Sequence, residues 1–224
     1  MTSDVREAPA SLGVRQQRKA ETRARIAAAA MALFAERGFD DVRTVEVAAA
    51  AGVTEKTVFN HFPTKEDLVY ANDAGFESAL LDAVRLRDPD LSVLDAARAF
   101  FLGAYARFPT EPALRDRAVV IARLVEGSPA LQAREALILG RYSTALSELI
   151  RSELSFDEHD LRPTVAADAI VAVHRAVIAG YRHGLLVDEP TTSLGARMRV
   201  AASAAFDLLS EGFSGLGQGD TTGS

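Results

Sequence analysis

The stretch Val45-Glu46-Val47-Ala48-Ala49-Ala50-Ala51-Gly52-Val53-Thr54-Glu55-Lys56-Thr57-Val58-Phe59-Asn60-His61-Phe62 holds two short helical patterns joined at a glycine. Val45 to Ala51 is an apolar, helix-forming run. Gly52 ends it, because glycine enters the left-handed conformation without a steric penalty. Val53 fills the space between the two helices, and Thr54 offers a hydroxyl that caps the second. Val58 and Phe62 are four residues apart and share the inward face of that helix. Lys56 and Asn60 lie two residues either side of Val58 and point away from it. This combination makes a helix-turn-helix. An outward surface of Lys, Thr, Asn and His suits a DNA groove. Lysine donates to guanine, asparagine pairs with adenine, and threonine reaches base edges or phosphate. The positive end of the helix suits phosphate.

Upstream, Ile26, Ala29, Ala30, Leu33 and Phe34 repeat at helical spacing and predict a helix from about Gln16 to Arg37, stopped by Gly38. Residues 1–14 are small and polar and read as a disordered lead. Downstream, Pro63 breaks the second short helix. Thr64 with Asp67 resembles a capping box and predicts one long helix to about Arg87. Further amphipathic helices follow, separated by Asp88-Pro89-Asp90, Pro109-Thr110-Glu111-Pro112, Gly127-Ser128-Pro129, Asp157–Asp160 and Asp188-Glu189-Pro190. The last two are expected at about Arg162–Leu185 and Thr192–Glu211. From Gly212 the chain is Gly-rich and polar and reads as a disordered tail. No period-two run bounded by hairpin turns appears. The expectation is an all-α chain of about nine helices.

Composition narrows the function classes. The chain has 224 residues, 48% hydrophobic and 25% charged, ordinary for a folded protein with a sizeable core. Cysteine is absent, which excludes a disulfide framework and a thiolate zinc site. No apolar run approaches the roughly 18 residues of a membrane span, and no signal-peptide pattern opens the chain. A cytoplasmic protein without a membrane partner is expected. Residues 1–70 carry as many basic as acidic residues, so the net charge of -6 resides in the remainder. A local basic stretch (Arg15, Arg18, Lys19, Arg23, Arg25) opens the fold. It reads either as a solvated helix face or as an arm touching phosphate or minor groove.

Residues 26–39, with Val47-Ala48-Ala49-Ala50-Ala51-Gly52-Val53-Thr54-Glu55-Lys56-Thr57-Val58-Phe59-Asn60-His61-Phe62-Pro63-Thr64-Lys65-Glu66-Asp67-Leu68, resemble the DNA-binding domain of the TetR family of transcriptional regulators. The resemblance implies a helix-turn-helix domain over residues 15–64, a ligand-binding and dimerisation domain over 65–212, and a tail over 213–224. It implies that Glu55, Lys56, Thr57 and Asn60 face bases or adjacent phosphates, and that Phe59 and His61 lie along the backbone. Lys65 matches the family's phosphate-binding lysine. Arg43 and Thr44 would also sit at phosphate. The family usually has Thr followed by an apolar residue there. Either Arg43 makes the phosphate contact itself, or Thr44 caps a helix one residue shorter. Phe59 stands where tyrosine is commonest and lacks a hydroxyl hydrogen bond worth about 1–2 kcal/mol. Glu55 would accept from cytosine N4 or pair with a basic neighbour.

The implied partners are a double-stranded DNA operator, a second copy of the chain and a small-molecule effector. The implied function is a ligand-responsive transcriptional regulator, a repressor released from a near-palindromic operator. The alternatives are an activator, or a helix-turn-helix interaction protein that no longer binds DNA. The small-residue faces of the last two helices (Ala166, Ala169, Ala201, Ala205) would pair with their symmetry mates. The effector is expected to be largely apolar. Tyr105, Arg123, Arg141 and Tyr142 lie on helices that line the pocket in this family, and the two arginines leave room for an anionic group. His174 lies on a stripe with Ile170, Val173, Val177, Ile178 and Tyr181. It reads as a core or interface histidine, with ligand contact as the sharper alternative.

No enzyme is expected. There is no Cys, no His-Glu-x-x-His, no Gly-x-Ser-x-Gly and no paired Glu-x-x-His. No cofactor or metal is implied. Asp157-Glu158-His159-Asp160 reads as a solvated loop before a helix N-terminus, and Gly215-Leu216-Gly217-Gln218-Gly219 as flexible tail.

Overall fold

Helix-forming runs punctuated by glycine and proline give nine α-helices and one 3₁₀ turn, with no strand, among residues 10–107 and 112–212, the part described by this computed structural model. The helices are α1 (Ala10–Arg37), α2 (Thr44–Ala50), α3 (Glu55–His61), α4 (Asp73–Arg85), α5 (Val93–Arg107), α6 (Pro112–Gly127), α7 (Pro129–Glu153), α8 (Arg162–Leu186) and α9 (Thr191–Gly212). The chain divides into two compact units, one ending at Ala71 and the other beginning at Asn72. Residues 1–9, the break at Pro109-Thr110-Glu111 and the tail 213–224 lie outside the described residues.

In the first unit α1 begins at Ala10, so residues 10–14 of the expected lead are helical. Its buried stripe is Ile26, Ala27, Ala30, Met31 and Phe34, rotated slightly from the expected one, with Ala29 and Leu33 half-buried. Gly38 ends α1 at φ +83, and Gly52 turns the chain between α2 and α3 at φ +63. Both are left-handed conformations that favour glycine.

The long helix expected from Thr64 to Arg87 is interrupted. The capping pair itself forms: Thr64 N–H donates to Asp67 Oδ2 (2.9 Å) and Asp67 N–H donates to Thr64 Oγ1 (3.3 Å). It opens only a 3₁₀ turn, Glu66–Leu68, and α4 starts at Asp73. Asp67, Leu68 and Val69 are all buried. Three consecutive residues cannot face one side of an α-helix, so burial overrides the helical pattern there.

In the second unit α8 is the central helix, packed by α6, α7 and α9. It is long and apolar enough to cross a membrane by length and composition. Here its inner face, including Ala166, Ala167, Ile170, Val173, Val177 and Leu185, belongs to the core. Helices α8 and α9 run antiparallel at close approach. A Cβ on Gly180 would meet Met198, and one on Gly184 would meet Leu194. The α9 stripe is Leu194, Met198, Ala202 and Phe206, whereas Ala201 and Leu208 face outward. Ala166 is buried in its own subunit, and Ala205 is half-buried against the same core.

Candidate nucleic-acid interface and effector cavity

Helix α3 is anchored from beneath and open above. Val58 and Phe62 are buried, and Thr54 caps the helix by accepting from Thr57 N–H (3.2 Å). Above, Glu55, Lys56, Phe59 and Asn60 are exposed. Lys56, Asn60 and Glu55 have no hydrogen-bond or ion-pair partner among the described residues, so their polar groups are free for a ligand. Glu55 is therefore not paired with a basic neighbour. Phe59 stands 46% exposed. Thr57 shares its hydroxyl with Thr54 (2.8 Å) and is half-buried.

Helix α2 begins at Thr44, with Arg43 at the cap position. The cap is made by neither hydroxyl nor guanidinium. Glu46 reaches back, accepting from Arg43 N–H (2.9 Å) and pairing with Arg37 (2.9 Å). The Arg43 backbone bond, then the Arg37 guanidinium, holds the Glu46 carboxyl down at about 2. Thr44 is half-buried, and the Arg43 side chain remains exposed beside it.

The basic stretch of α1 does structural work that spacing alone did not reveal. Arg23 donates to the carbonyls of His61 and Ala71 (3.0 Å to the latter), and its guanidinium covers the Phe62 ring at 4.0 Å. Arg25 donates to the Ala51 carbonyl (3.0 Å). These arginines satisfy carbonyls left over at the ends of α3 and α2. They are bracing residues of the helix-turn-helix, not a free arm. His61 is half-buried, with Nδ1 buried and lacking a partner. Burial, with Lys19 and Arg23 nearby, lowers its pKa. Lys65 sits with its ammonium 4.3 Å from the Phe39 ring centroid and 3.4 Å from the Asp40 carbonyl.

The second unit contains a cavity of about 280 Å³. Its aromatic wall is Phe76, Tyr105, His174 and Tyr181, and its apolar wall includes Ala118, Ile121, Ile178 and Leu185. Tyr105 Oη lies 2.9 Å from His174 Nδ1, and Tyr181 O–H donates to the Tyr105 carbonyl (3.4 Å). Burial pushes His174 down to about 4, so its imidazole is neutral at physiological pH. Desolvation raises the Tyr105 phenol far above its ordinary value. The cation in the wall, Arg182, is paired with Glu135 (2.5 Å).

Of the residues expected at the effector, Tyr105 and His174 line this cavity, whereas Arg123, Arg141 and Tyr142 do not. Arg123 is exposed on the outer side of α6. Arg141 on α7 is held by Asp73 (2.6 Å) and Glu77 (2.5 Å) of α4. Tyr142 donates to the Asp73 carbonyl (3.0 Å). Both therefore tie α7 to the first turns of α4 instead of entering the cavity. Sequence reasoning missed Phe76, the α4 residue that stacks on His174 at 5.0 Å, because a lone aromatic on an interrupted helix carries no spacing signal. It also missed the Glu135–Arg182 pair, which joins α7 to α8 across 47 positions. The Asp157–Asp160 loop is organised by arginine: Arg151 donates to the Asp157 and Asp160 carbonyls, and Arg162 pairs with Asp160 (2.6 Å).

A helix-turn-helix unit with an open α3 face, followed by a helical unit that holds a cavity, is the build of a ligand-responsive, DNA-binding transcriptional regulator. Residues 26–71 match the family of bacterial regulatory proteins described as the tetR family, and residues 91–214 match the MftR C-terminal domain. The chain belongs to the TetR family. It is 25% identical over 202 residues to the mycofactocin biosynthesis transcriptional regulator MftR of Mycobacterium tuberculosis, covering 90% of this chain and 96% of that one. It is 29% identical over 180 residues to the HTH-type transcriptional regulator TcmR of Streptomyces glaucescens, covering 79% and 78%. In fold it is similar to SmeT, the repressor of the Stenotrophomonas maltophilia multidrug efflux pump SmeDEF. The TM-score is 0.54 at 21% identity, over 83% of this chain and 89% of that one.

Proposed function

We propose that the chain acts as a homodimeric cytoplasmic repressor that leaves a near-palindromic operator when a small, largely apolar effector enters the cavity of the second unit. The observation that supports this reading best is Phe76. Helix α4 starts two residues after the helix-turn-helix unit ends, and Phe76 forms part of the cavity wall. A ligand that displaces Phe76 shifts α4, and the chain carries that shift to the DNA-binding unit. The size of the response is bounded by the ligand's preference for the shifted state over the DNA-binding one.

In this reading two copies of α3 enter successive major grooves about 34–36 Å apart. Lys56 and Asn60 read base edges, while Arg43, Thr44, Thr57 and Lys65 lie near phosphate, with Phe59 and His61 packed along the backbone. The dimer face is the outward side of α8 and α9, where Val165 is 57%, Val200 70% and Leu208 69% exposed. Apolar side chains that open on a packed helix pair suit a second copy of the same surface.

The test is selection of fragmented genomic DNA on purified protein, beside a Lys56→Ala/Asn60→Ala double variant. Enrichment of one near-palindrome by the unaltered chain alone is the expected result. Equal enrichment by both proteins would remove α3 as the reading element. A bound fragment whose affinity does not fall steeply with salt would contradict an operator contact altogether.

A further inference from the structure

The cavity contains one polar group whose direction is set by everything around it. The His174 ring packs against Phe76 (centroids 5.0 Å apart, planes 13° apart) and Phe101 (4.7 Å, 29°), which also touch each other. Tyr105 and Tyr142 also pack around it, and the residue is buried, so the imidazole is held by its aromatic neighbours. Nδ1 is taken by the Tyr105 hydroxyl at 2.9 Å. Nε2 has no hydrogen-bond partner among the described residues, and it is not among the buried side-chain atoms that lack one, so it is open to the cavity that His174 lines.

The remaining question is which nitrogen carries the proton. The Tyr105 O–H stays protonated, because burial disfavours the phenolate. It has no other acceptor among the described residues, and an unpaired buried hydroxyl is costly. It therefore donates to Nδ1. A neutral imidazole that accepts at Nδ1 carries its proton at Nε2. The cavity thus presents a fixed N–H donor within an aromatic wall. The charge in that wall is neutralised: Arg182 is held by Glu135 at 2.5 Å.

We infer that the effector is an uncharged, flat aromatic molecule bearing a carbonyl-type acceptor, which takes a hydrogen bond from His174 Nε2–H. The inference rests on the cavity being the effector site. It sets aside the anionic ligands that Arg123 and Arg141 left open in sequence, since neither lines the cavity. Small fused-ring ligands suit a volume of about 280 Å³. An anion would have to separate Arg182 from Glu135 or lie unpaired among aromatic rings.

Calorimetric titration with three shape-matched probes tests this: 9-fluorenone (acceptor), fluorene (none) and fluorene-9-carboxylate (anion). Fluorenone should bind about 5–10-fold more tightly than fluorene, the effect of one net hydrogen bond, and the carboxylate most weakly. His174→Phe should bring the fluorenone-to-fluorene ratio close to one while fluorene still binds. Tyr105→Phe, a smaller change, should lower the same ratio by releasing the tautomer, and should let the donor 9-fluorenol gain on fluorenone. Equal binding of fluorene and fluorenone by the unaltered protein, or tightest binding of the carboxylate, would overturn the inference and leave the cavity as the effector site. Failure of all three probes to bind, or binding that persists when Ala118→Trp fills the cavity, would overturn the site itself and the inference with it.

Discussion

His174 is a buried base whose protonation is linked to folding. In the unfolded chain it titrates near the ordinary histidine value of about 6.5, whereas in the fold burial lowers it to about 4. Between those values the unfolded state binds the proton and the folded state does not, so stability rises with pH there. The contribution is complete above about pH 6.5 and is lost as the pH falls towards 4. A shift of this size corresponds to on the order of 3 kcal/mol. The difference in melting temperature between the unaltered protein and His174→Gln should therefore change with pH across this window and level off above it. A difference that stays constant from pH 4 to 7 would show that His174 titrates normally in the fold.

At the scale of elements, Arg23 holds α1 to the end of α3. Its guanidinium meets two carbonyls and a ring face at once, a fork geometry that lysine cannot reproduce. Arg23→Ala should destabilise the helix-turn-helix unit by about 2 kcal/mol, the scale of charge-assisted hydrogen bonds, with Arg23→Lys recovering only part. Amide exchange at the end of α3 reports this directly. If Arg23 instead touched phosphate, its loss would reduce the salt dependence of DNA binding and leave exchange unchanged. Helices α8 and α9 offer a second comparison. A Cβ at Gly184 runs into the branched end of Leu194 and lies 2.9 Å from Glu189 Oε2, whereas at Gly180 it meets the flexible end of Met198. Gly184→Ala should cost about 1–3 kcal/mol from overpacking, and Gly180→Ala much less, as read by urea denaturation. Equal costs would mean that the α8–α9 spacing yields without resistance.

For the whole molecule the relevant surface is the outward side of α8 and α9. Val200→Glu with Leu208→Glu places two charges where the proposed second copy would press, on side chains that the subunit's own core does not use. Sedimentation should show a monomer with an unaltered helical content and a large loss of operator affinity, because two half-sites are no longer bound together. A stable dimer from this variant would move the interface elsewhere. Ala205→Glu is a poorer probe, since Ala205 packs against the core and its replacement would disturb the subunit first.

The helix-turn-helix was legible in the sequence because its determinants are local. Gly52, Thr54, Val58 and Phe62 each lie within about one turn of the next, and the chemistry of the α3 face follows from which residues they leave outside. Helix ends marked by Gly38, Pro63 and Ser128-Pro129 are local in the same way. Other assignments depended on distant partners. Arg23 and Arg25 read as a solvated helix face or an arm, and only the fold shows them reaching the carbonyls of Ala51, His61 and Ala71. The Thr64–Asp67 pair predicted a long helix until burial of Leu68 and Val69 broke it. Arg141 and Tyr142 became ties to α4, Arg123 remained outside, and Phe76 entered the cavity from a helix that the sequence joined to its neighbour. Capping, glycine turns and periodicity are short-range and can be read along the chain. Which face of a long helix meets a core, a cavity or a second subunit is decided only when helices far apart in sequence pack, because there apolar burial and the pairing of polar groups outweigh the local pattern.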